Sequence, residues 1–333
     1  SVHGTFGAEV VQVDADHIAI NGQKIRVFSD RDPKNLKFAD CGADMVLECT
    51  GVFLSQDDAQ VHIDNGVKKV LFSAPAKDDT PTFVLGVNEH LYAGQSIVSN
   101  ASCTTNCLGP IAKVLDDAFG IEKGLMTTIH SYTNDQNILD VKHSKDKRRA
   151  RAGAINMIPT TTGAAKAIGL VLPQLKGKLH GQSVRVPTPN VSMVDLNVIV
   201  KRKVTKEEVT AAFNTAAQTT LKGIVLMDKE MRVSQDFVGS AYSSIVAEDL
   251  TQVIDGDMVK IMAWYDNEWG YSNRLVELAQ QAALVLAELD RRFHRNVAIQ
   301  VSGIAGAHTL DALAAQAELL AGLGTFRDID RRF

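Results

Sequence analysis

Met45-Val46-Leu47-Glu48-Cys49-Thr50-Gly51 and, after a polar interval, Lys69-Val70-Leu71-Phe72-Ser73-Ala74-Pro75 are the two stretches on which the fold turns. Each opens with a short, almost continuous apolar run of strand-forming residues, the pattern of a strand buried on both faces. Each then breaks into a small-residue turn. Between them Ala59 to Gly66 has the length and composition for a crossover helix, and a strand, helix and parallel strand in one sheet is the unit of a doubly wound fold. The expectation is therefore βαβ material, with Thr50-Gly51 and Ser73-Ala74-Pro75 as ligand loops at the strand ends.

Working outward, the start of the chain alternates short β-rich runs with polar turns: Glu9 to Val13, His17 to Ile20 and Ile25 to Phe28. From Leu125 the texture changes to longer strands, Leu125 to His130, Val191 to Val200 and Met258 to Trp264, separated by helical segments. That pattern predicts an α+β second domain. Thr205-Lys206-Glu207-Glu208 is a capping box ahead of an apolar helical run to Leu221, and Thr162-Gly163 precedes a helix over Ala164 to Leu172 that Pro173 stops. A further amphipathic helix is expected from Ser272 to about Leu289. The fold class is thus α/β: a doubly wound, Rossmann-like dinucleotide-binding domain (1–103 and 267–333) with an α+β catalytic domain (104–266).

With 333 residues, 45% hydrophobic and 22% charged, the chain has the composition of a globular protein of one large or two medium domains. A formal net charge of -4 gives no bulk attraction to nucleic acid or to an anionic membrane. The run KHSKDKRRAR at Lys142 to Arg151 lacks the interleaved aromatics of a nucleic-acid surface and reads as a solvated loop. No apolar run reaches the ~18 residues of a membrane span, and the first ten residues do not resemble a leader. Four cysteines without paired spacing suggest reduced thiols rather than disulfides or a metal site, with the cytosol as the default location.

Among those thiols Cys103 stands apart. Ser99-Asn100-Ala101-Ser102-Cys103-Thr104-Thr105-Asn106-Cys107 follows the strand-like Ser96 to Val98 and leads into a helix over Leu108 to Phe119, closed by Gly120. Cys103 therefore falls near a helix N-terminus with Ser102 as its cap. A free thiol with pKa ~8.5 is only a few per cent thiolate at neutral pH. Helix amides and a cation lower that value, often by ~2, which is worth roughly 3 kcal/mol to the thiolate. A single cysteine ahead of a helix nevertheless packs more often than it reacts. His130, at the end of an alternating strand, is by the same standard a hydrogen-bonded residue first and a base second.

Four blocks in order and spacing alter that balance: Ser102 to Cys107 (SCTTNC), His130 to Thr133 (HSYT), Pro159 to Lys166 (PTTTGAAK) and Trp264 to Ser272 (WYDNEWGYS). Together they resemble the phosphorylating glyceraldehyde-3-phosphate dehydrogenase family, over Ser1 to about Leu278. The resemblance implies oxidation of glyceraldehyde 3-phosphate to 1,3-bisphosphoglycerate, with Cys103 as nucleophile, His130 as base and NAD as hydride acceptor. It places the substrate phosphate on Thr133 and Arg185, with Asp135 nearby, and the attacking inorganic phosphate on Ser102, Thr104, Thr162 and Gly163. It also implies a homotetramer, and no metal. The neighbouring expectation is the same chemistry on erythrose 4-phosphate; the rival of another class is a cofactor-impaired scaffold with a reactive thiol.

The resemblance further assigns Arg31, Thr50, Gly51, Phe53, Ser73, Asn267 and Tyr271 to the cofactor. Family members open with a strand and a glycine fingerprint ahead of the region that Ser1 matches. A similar unit stands at the other end here: Val297 to Val301 reads as a buried strand, Ser302-Gly303-Ile304-Ala305-Gly306 as a glycine turn, and Ala307 to Leu320 as a helix. Gly303 and Gly306 would then approach the pyrophosphate, although Val301 stands where the first glycine of the fingerprint is expected. Asp328 follows near the ~20-residue spacing of a ribose-binding acid. These features suggest a circular permutation; a truncated enzyme with an unrelated helical tail is the alternative. Permutation predicts Val297 to Val301 beside Met45 to Cys49 or a neighbouring strand, and Phe333 near Ser1.

Overall fold

The computed structural model describes residues 2–143, 146–289 and 297–300. The first sheet is an antiparallel meander of β1 (Val10–Asp14), β2 (His17–Ile20) and β3 (Gln23–Arg26). Asn21 and Gly22, both at positive φ (48° and 81°), make the two-residue turn that joins β2 to β3. β1 and β3 are exposed throughout, so the early β-rich runs form a surface ribbon apart from the parallel sheet.

That parallel sheet is built from β4 (Met45–Glu48), β5 (Lys69–Phe72) and β6 (Ile97–Ser99), with α1 (Gln56–Asp64) crossing between the first two. α1 starts before the predicted Ala59 because Ser55 caps it, its hydroxyl accepting from the Asp58 amide at 3.1 Å. The sheet is covered on both sides, which explains its continuous apolar runs. Val46, Val70, Phe72 and Ile97 pack with Leu36, Phe38 and Ala59 on one face. Met45, Leu47, Leu71 and Val98 pack on the other against Leu275, Leu278 and Ala282.

From β6 the chain passes into α2 (Cys103–Phe119), then β7 (Ile121–Ser131), β8 (Ile158–Thr161), α3 (Ala164–Val171), β9 (Leu179–Val186) and β10 (Ser192–Val200). α4 (Lys206–Gln218), β11 (Val225–Asp228), β12 (Ser244–Ala247), β13 (Gln252–Ile254) and β14 (Met258–Tyr265) complete this part. The strands form one mixed sheet, β11-β12-β14-β10-β7-β9-β8, with β13 on β14. Its apolar face, including Val194, Leu196, Val198, Ile261 and Ala263, packs under α2, α3 and α4.

Two further element bounds differ from expectation for local reasons. α4 carries the predicted capping box on Thr205 and Glu208 but ends at Gln218, after which Leu221 buries its side chain from a turn. α5 (Trp269–Leu289) begins before Ser272, because the Asp266 carboxylate accepts from the amides of Glu268 (2.9 Å) and Trp269 (2.8 Å) and so caps an earlier first turn. α5 then returns to the parallel sheet and supplies Leu275, Leu278 and Ala282 to its core.

β15 (Val297–Gln300) lies parallel to β4, with Val297 opposite Met45 and Gln300 opposite Glu48. The four-stranded order is β15-β4-β5-β6. The expected glycine turn with Gly303 and Gly306, the helix from Ala307, Asp328, and the Phe333-to-Ser1 proximity lie outside the described residues.

Candidate functional site

α2 meets the large sheet at its N-terminus, and the turn that starts it is unusual. Ala101 has φ 57°, a left-handed conformation that a residue with a Cβ seldom adopts, and it is fully buried. Ser102 follows as the cap: its Oγ accepts from the Thr105 amide at 3.1 Å and lies 2.8 Å from Thr105 Oγ1. Asn106 reaches back to bond the carbonyls of Asn100 (2.7 Å) and Ser102 (3.1 Å). Cys103 is thereby the first residue of a 17-residue helix. Its neighbour one turn on, Cys107, is fully buried in the core, where burial holds the thiol protonated.

The sheet supplies the groups opposite. Cys103 Sγ lies 3.6 Å from His130 Nε2. His130 is on β7 and Arg185 sits directly across from it on β9, in parallel register. His130 Nδ1 is 2.8 Å from the Ser131 carbonyl and 2.5 Å from Arg185 Nη1. A carbonyl only accepts and a guanidinium only donates, so Nδ1 serves one of them at a time. With the ring proton on Nδ1, Nε2 is bare and accepts from the thiol. With the proton on Nε2, the ring donates toward whatever stands at the sulfur.

Electrostatics make the resting pair neutral. Burial, reinforced by the Arg185 charge, lowers His130 to about 4, against the opposing pull of the Ser131 carbonyl. Burial pushes the Cys103 thiol up, while the Arg185 charge and contacts with Thr104 pull it back. The sequence suggests a thiol lowered by its helix amides; in this cavity desolvation outweighs that help and leaves the thiol raised.

Cys103 opens into a cavity of about 180 Å³ lined by Ser102, Thr104, His130, Thr162, Gly163 and Arg185, along with Pro75, Thr128, Thr161 and Ser183. Two lining groups are buried with no hydrogen-bond partner: Arg185 Nε and Ser183 Oγ. Buried polar groups are ordinarily satisfied, so unused donors in a cavity point to a ligand that accepts. Ser183 lay unremarked in the sequence. It stands two residues before Arg185 on β9, hence on the same face, and pairs with Thr128 as Arg185 pairs with His130.

Other predicted residues are placed less simply. The Thr133 hydroxyl donates to Asp135 Oδ1 at 2.5 Å, and the other Asp135 oxygen takes Arg149 Nη1 at 2.6 Å. Asp135 thereby ties Thr133 to Arg149. Arg149 comes from the basic run that reads in sequence as a solvated loop; its Nε also bonds Thr160 Oγ1 at 2.8 Å. Thr104 Oγ1 is engaged with the buried Tyr265 hydroxyl at 2.9 Å, which also holds Thr128 at 2.8 Å.

Of the cofactor candidates, Thr50, Gly51, Phe53 and Ser73 follow the carboxyl ends of β4 and β5, Asn267 and Tyr271 lie at the start of α5, and Arg31 lies exposed beyond β3. Thr50, Phe53 and Ser73 are half-buried. Gly51 has φ 72° and open space where a Cβ would stand, leaving room for close approach. The Thr50 amide is held by Glu48 Oε1 at 2.7 Å. Asn267 is buried, and its Oδ1 accepts from the hydroxyls of Ser131 (2.7 Å) and Ser192 (2.8 Å), which turns its NH₂ group the other way as a donor. Tyr271 donates to the Ala101 carbonyl at 3.0 Å. The Asn267 NH₂ group and the open turn at Gly51 are the features here that could meet a ligand. Among the described residues no His, Cys, Asp and Glu cluster could hold a metal, and no helix is long and apolar enough to cross a membrane.

Comparison with known proteins gives the arrangement its lineage. Residues 102–267 match the family described as glyceraldehyde 3-phosphate dehydrogenase, C-terminal domain, and residues 1–56 match the corresponding NAD binding domain. Glyceraldehyde-3-phosphate dehydrogenase 1 of Bacillus cereus is 56% identical over 84% of this chain and 84% of its own length. The glyceraldehyde-3-phosphate dehydrogenase of Geobacillus stearothermophilus is 55% identical over 85% of this chain and 84% of its own length. The chloroplastic A form of Chlamydomonas reinhardtii is 54% identical over 85% and 76%. With its cysteine and histidine paired at a helix start and most of its length shared with these enzymes, the chain belongs to the glyceraldehyde-3-phosphate dehydrogenase family.

Proposed function

We propose that this protein oxidises glyceraldehyde 3-phosphate to 1,3-bisphosphoglycerate in the presence of inorganic phosphate and NAD. The observation that carries the reading is the Cys103–His130 contact of 3.6 Å in a cavity where Arg185 Nε and Ser183 Oγ wait without partners. The names of the similar enzymes favour the three-carbon sugar phosphate over erythrose 4-phosphate, and favour a working dehydrogenase over a scaffold.

In this reading His130 Nε2 takes the thiol proton as Cys103 Sγ attacks the aldehyde carbon, giving a thiohemiacetal. The Cys103 amide at the head of α2 and the protonated Nε2 are the donors that face the developing oxyanion. NAD, when bound, accepts the hydride lost from that carbon. A thioester on Sγ remains. Phosphate attacks its carbonyl, the acyl phosphate leaves, and the thiolate recovers its proton. His130 is suited to both directions because it rests neutral.

Thr133 and Arg185, with Asp135 orienting Thr133, would hold the substrate phosphate; Ser102, Thr104, Thr162 and Gly163 would hold the attacking one. Arg31, Thr50, Gly51, Phe53, Ser73, Asn267 and Tyr271 would hold NAD. Residues 1–103 and 267–333 would form the dinucleotide domain, an assignment supported by α5 and β15 both joining the parallel sheet. That strand pairing favours the permuted reading over an unrelated tail. The proposed state is a homotetramer, and the proposed location, the cytosol, suits four free thiols.

The test is phosphate-dependent NADH formation from glyceraldehyde 3-phosphate, with erythrose 4-phosphate alongside. Cys103→Ser should lower turnover by at least a thousandfold. Retained turnover in that variant would defeat the assignment of the nucleophile.

A further inference from the structure

We infer that the hydroxyls of Tyr271 and Ser99 are positioning groups for the nucleophile: they hold Ala101 in its left-handed turn and so aim Cys103 into the cavity. The inference rests on the proposed role of Cys103 and adds two groups to it, one of them a second duty for a residue otherwise expected at the cofactor.

A buried alanine at φ 57° persists only where its surroundings over-determine it. Here both of its backbone polar groups are tied by side chains from separate elements. Its N–H donates to Ser99 Oγ at 3.0 Å, and its carbonyl accepts from Tyr271 Oη at 3.0 Å. Ser99, at the end of β6, uses its own proton on the Ala74 carbonyl at 2.8 Å, in the loop that follows β5. Tyr271 belongs to the first turn of α5, and burial keeps its phenol protonated and able to donate. Rotation of Ala101 into an ordinary conformation would swing both peptide planes and break both bonds. It would also displace the Ser102 cap, and with it the direction in which Cys103 leaves the helix. The turn thus locks the sulfur to the two elements that border the cofactor cleft, through groups that touch neither sulfur nor substrate.

Tyr271→Phe and Ser99→Ala keep the shapes and remove the hydroxyls. The full chain with NAD would be followed by the pre-steady-state NADH burst, by NAD affinity, and by the pH profile of iodoacetamide alkylation read on the Cys103 peptide. Each variant should lose at least tenfold in burst rate and shift the alkylation profile, and Ser99→Ala, which removes no proposed NAD contact, should keep NAD affinity within threefold. Ala101→Gly, which adopts the turn without strain, should restore much of the burst when added to Tyr271→Phe. A burst and alkylation profile unchanged in the hydroxyl variants, a loss confined to NAD affinity in Ser99→Ala, or no rescue by glycine would each overturn the inference. A wild-type protein with no burst would instead defeat the dehydrogenase reading, and the alkylation profiles would still judge the turn.

Discussion

A histidine lowered to about 4 is a liability in acid. Unfolded, His130 would titrate near 6.5; folded, it resists protonation until about pH 4. The unfolded chain therefore binds more protons across that window, and stability present above pH 6.5 is lost as pH falls toward 4. Over the whole window the linkage amounts to about 3 kcal/mol, and at pH 5 to roughly 2 kcal/mol. His130→Asn removes the titration, so its stability should fall less than the wild type's between pH 7 and pH 5 in urea unfolding; equal losses would refute the neutral-histidine reading. The same variant should slow acylation and move its pH profile upward, since the thiol, raised by burial, loses its acceptor. At this scale the sequence was only partly legible. Cys103 and His130 needed the company of the other motifs, because neither carries its burial in its neighbours. Ser183 was within reach, since the period of two puts it on the Arg185 face. Arg149 was not: its ten-residue basic run looks like solvent-facing loop, and only the fold brings it to Asp135 at 2.6 Å.

At the scale of elements, the end of β4 shows how a strand sets the loop that follows it. Glu48 is fully buried, and its carboxylate accepts from the Thr50 amide at 2.7 Å while its other oxygen stands 3.9 Å from His62 Nε2. Burial raises it to about 7, with Asp58 adding to the shift and the Thr50 contacts opposing it. Here the sign reverses: a carboxyl with a raised folded value stabilises fully below about pH 4.5 and loses that contribution as pH rises through 7. Glu48→Gln keeps an oxygen for the Thr50 amide and has no charge to desolvate. It should match the wild type at pH 5 and exceed it by roughly 2 kcal/mol at pH 8 in urea unfolding. A deficit at pH 8 would mean that the ionised form is the one the loop requires. The parallel strands were legible because double burial writes itself as unbroken apolar runs. β11, β12 and β13 were not, being three or four residues long and defined by their partners. The early start of α5 was encoded in Asp266, a capping residue that a search for apolar periodicity passes over.

For the whole molecule the decisive element is β15, which binds chain distant in sequence to β4, the strand that leads into Thr50 and Gly51. Its register, Val297 to Gln300 against Met45 to Glu48, is parallel, so successive residues alternate between pointing their amide toward β4 and away from it. Of Ala298 and Ile299, one must therefore donate across the pair. Proline removes that donor and fixes φ, which a paired position does not tolerate and an outward one tolerates better. Ala298→Pro and Ile299→Pro should consequently differ: one should weaken NAD binding by at least tenfold, the other much less, with Cys103 alkylation preserved in both because β15 pairs β4, two strands away from the β6 that carries Ser99. Isothermal titration with NAD, with the alkylation rate as the control for the catalytic half, measures both. If neither proline changes NAD affinity, the strand is an ornament on a cofactor site built elsewhere. If one does, the C-terminal segment belongs to the machinery that brings nicotinamide to the cysteine.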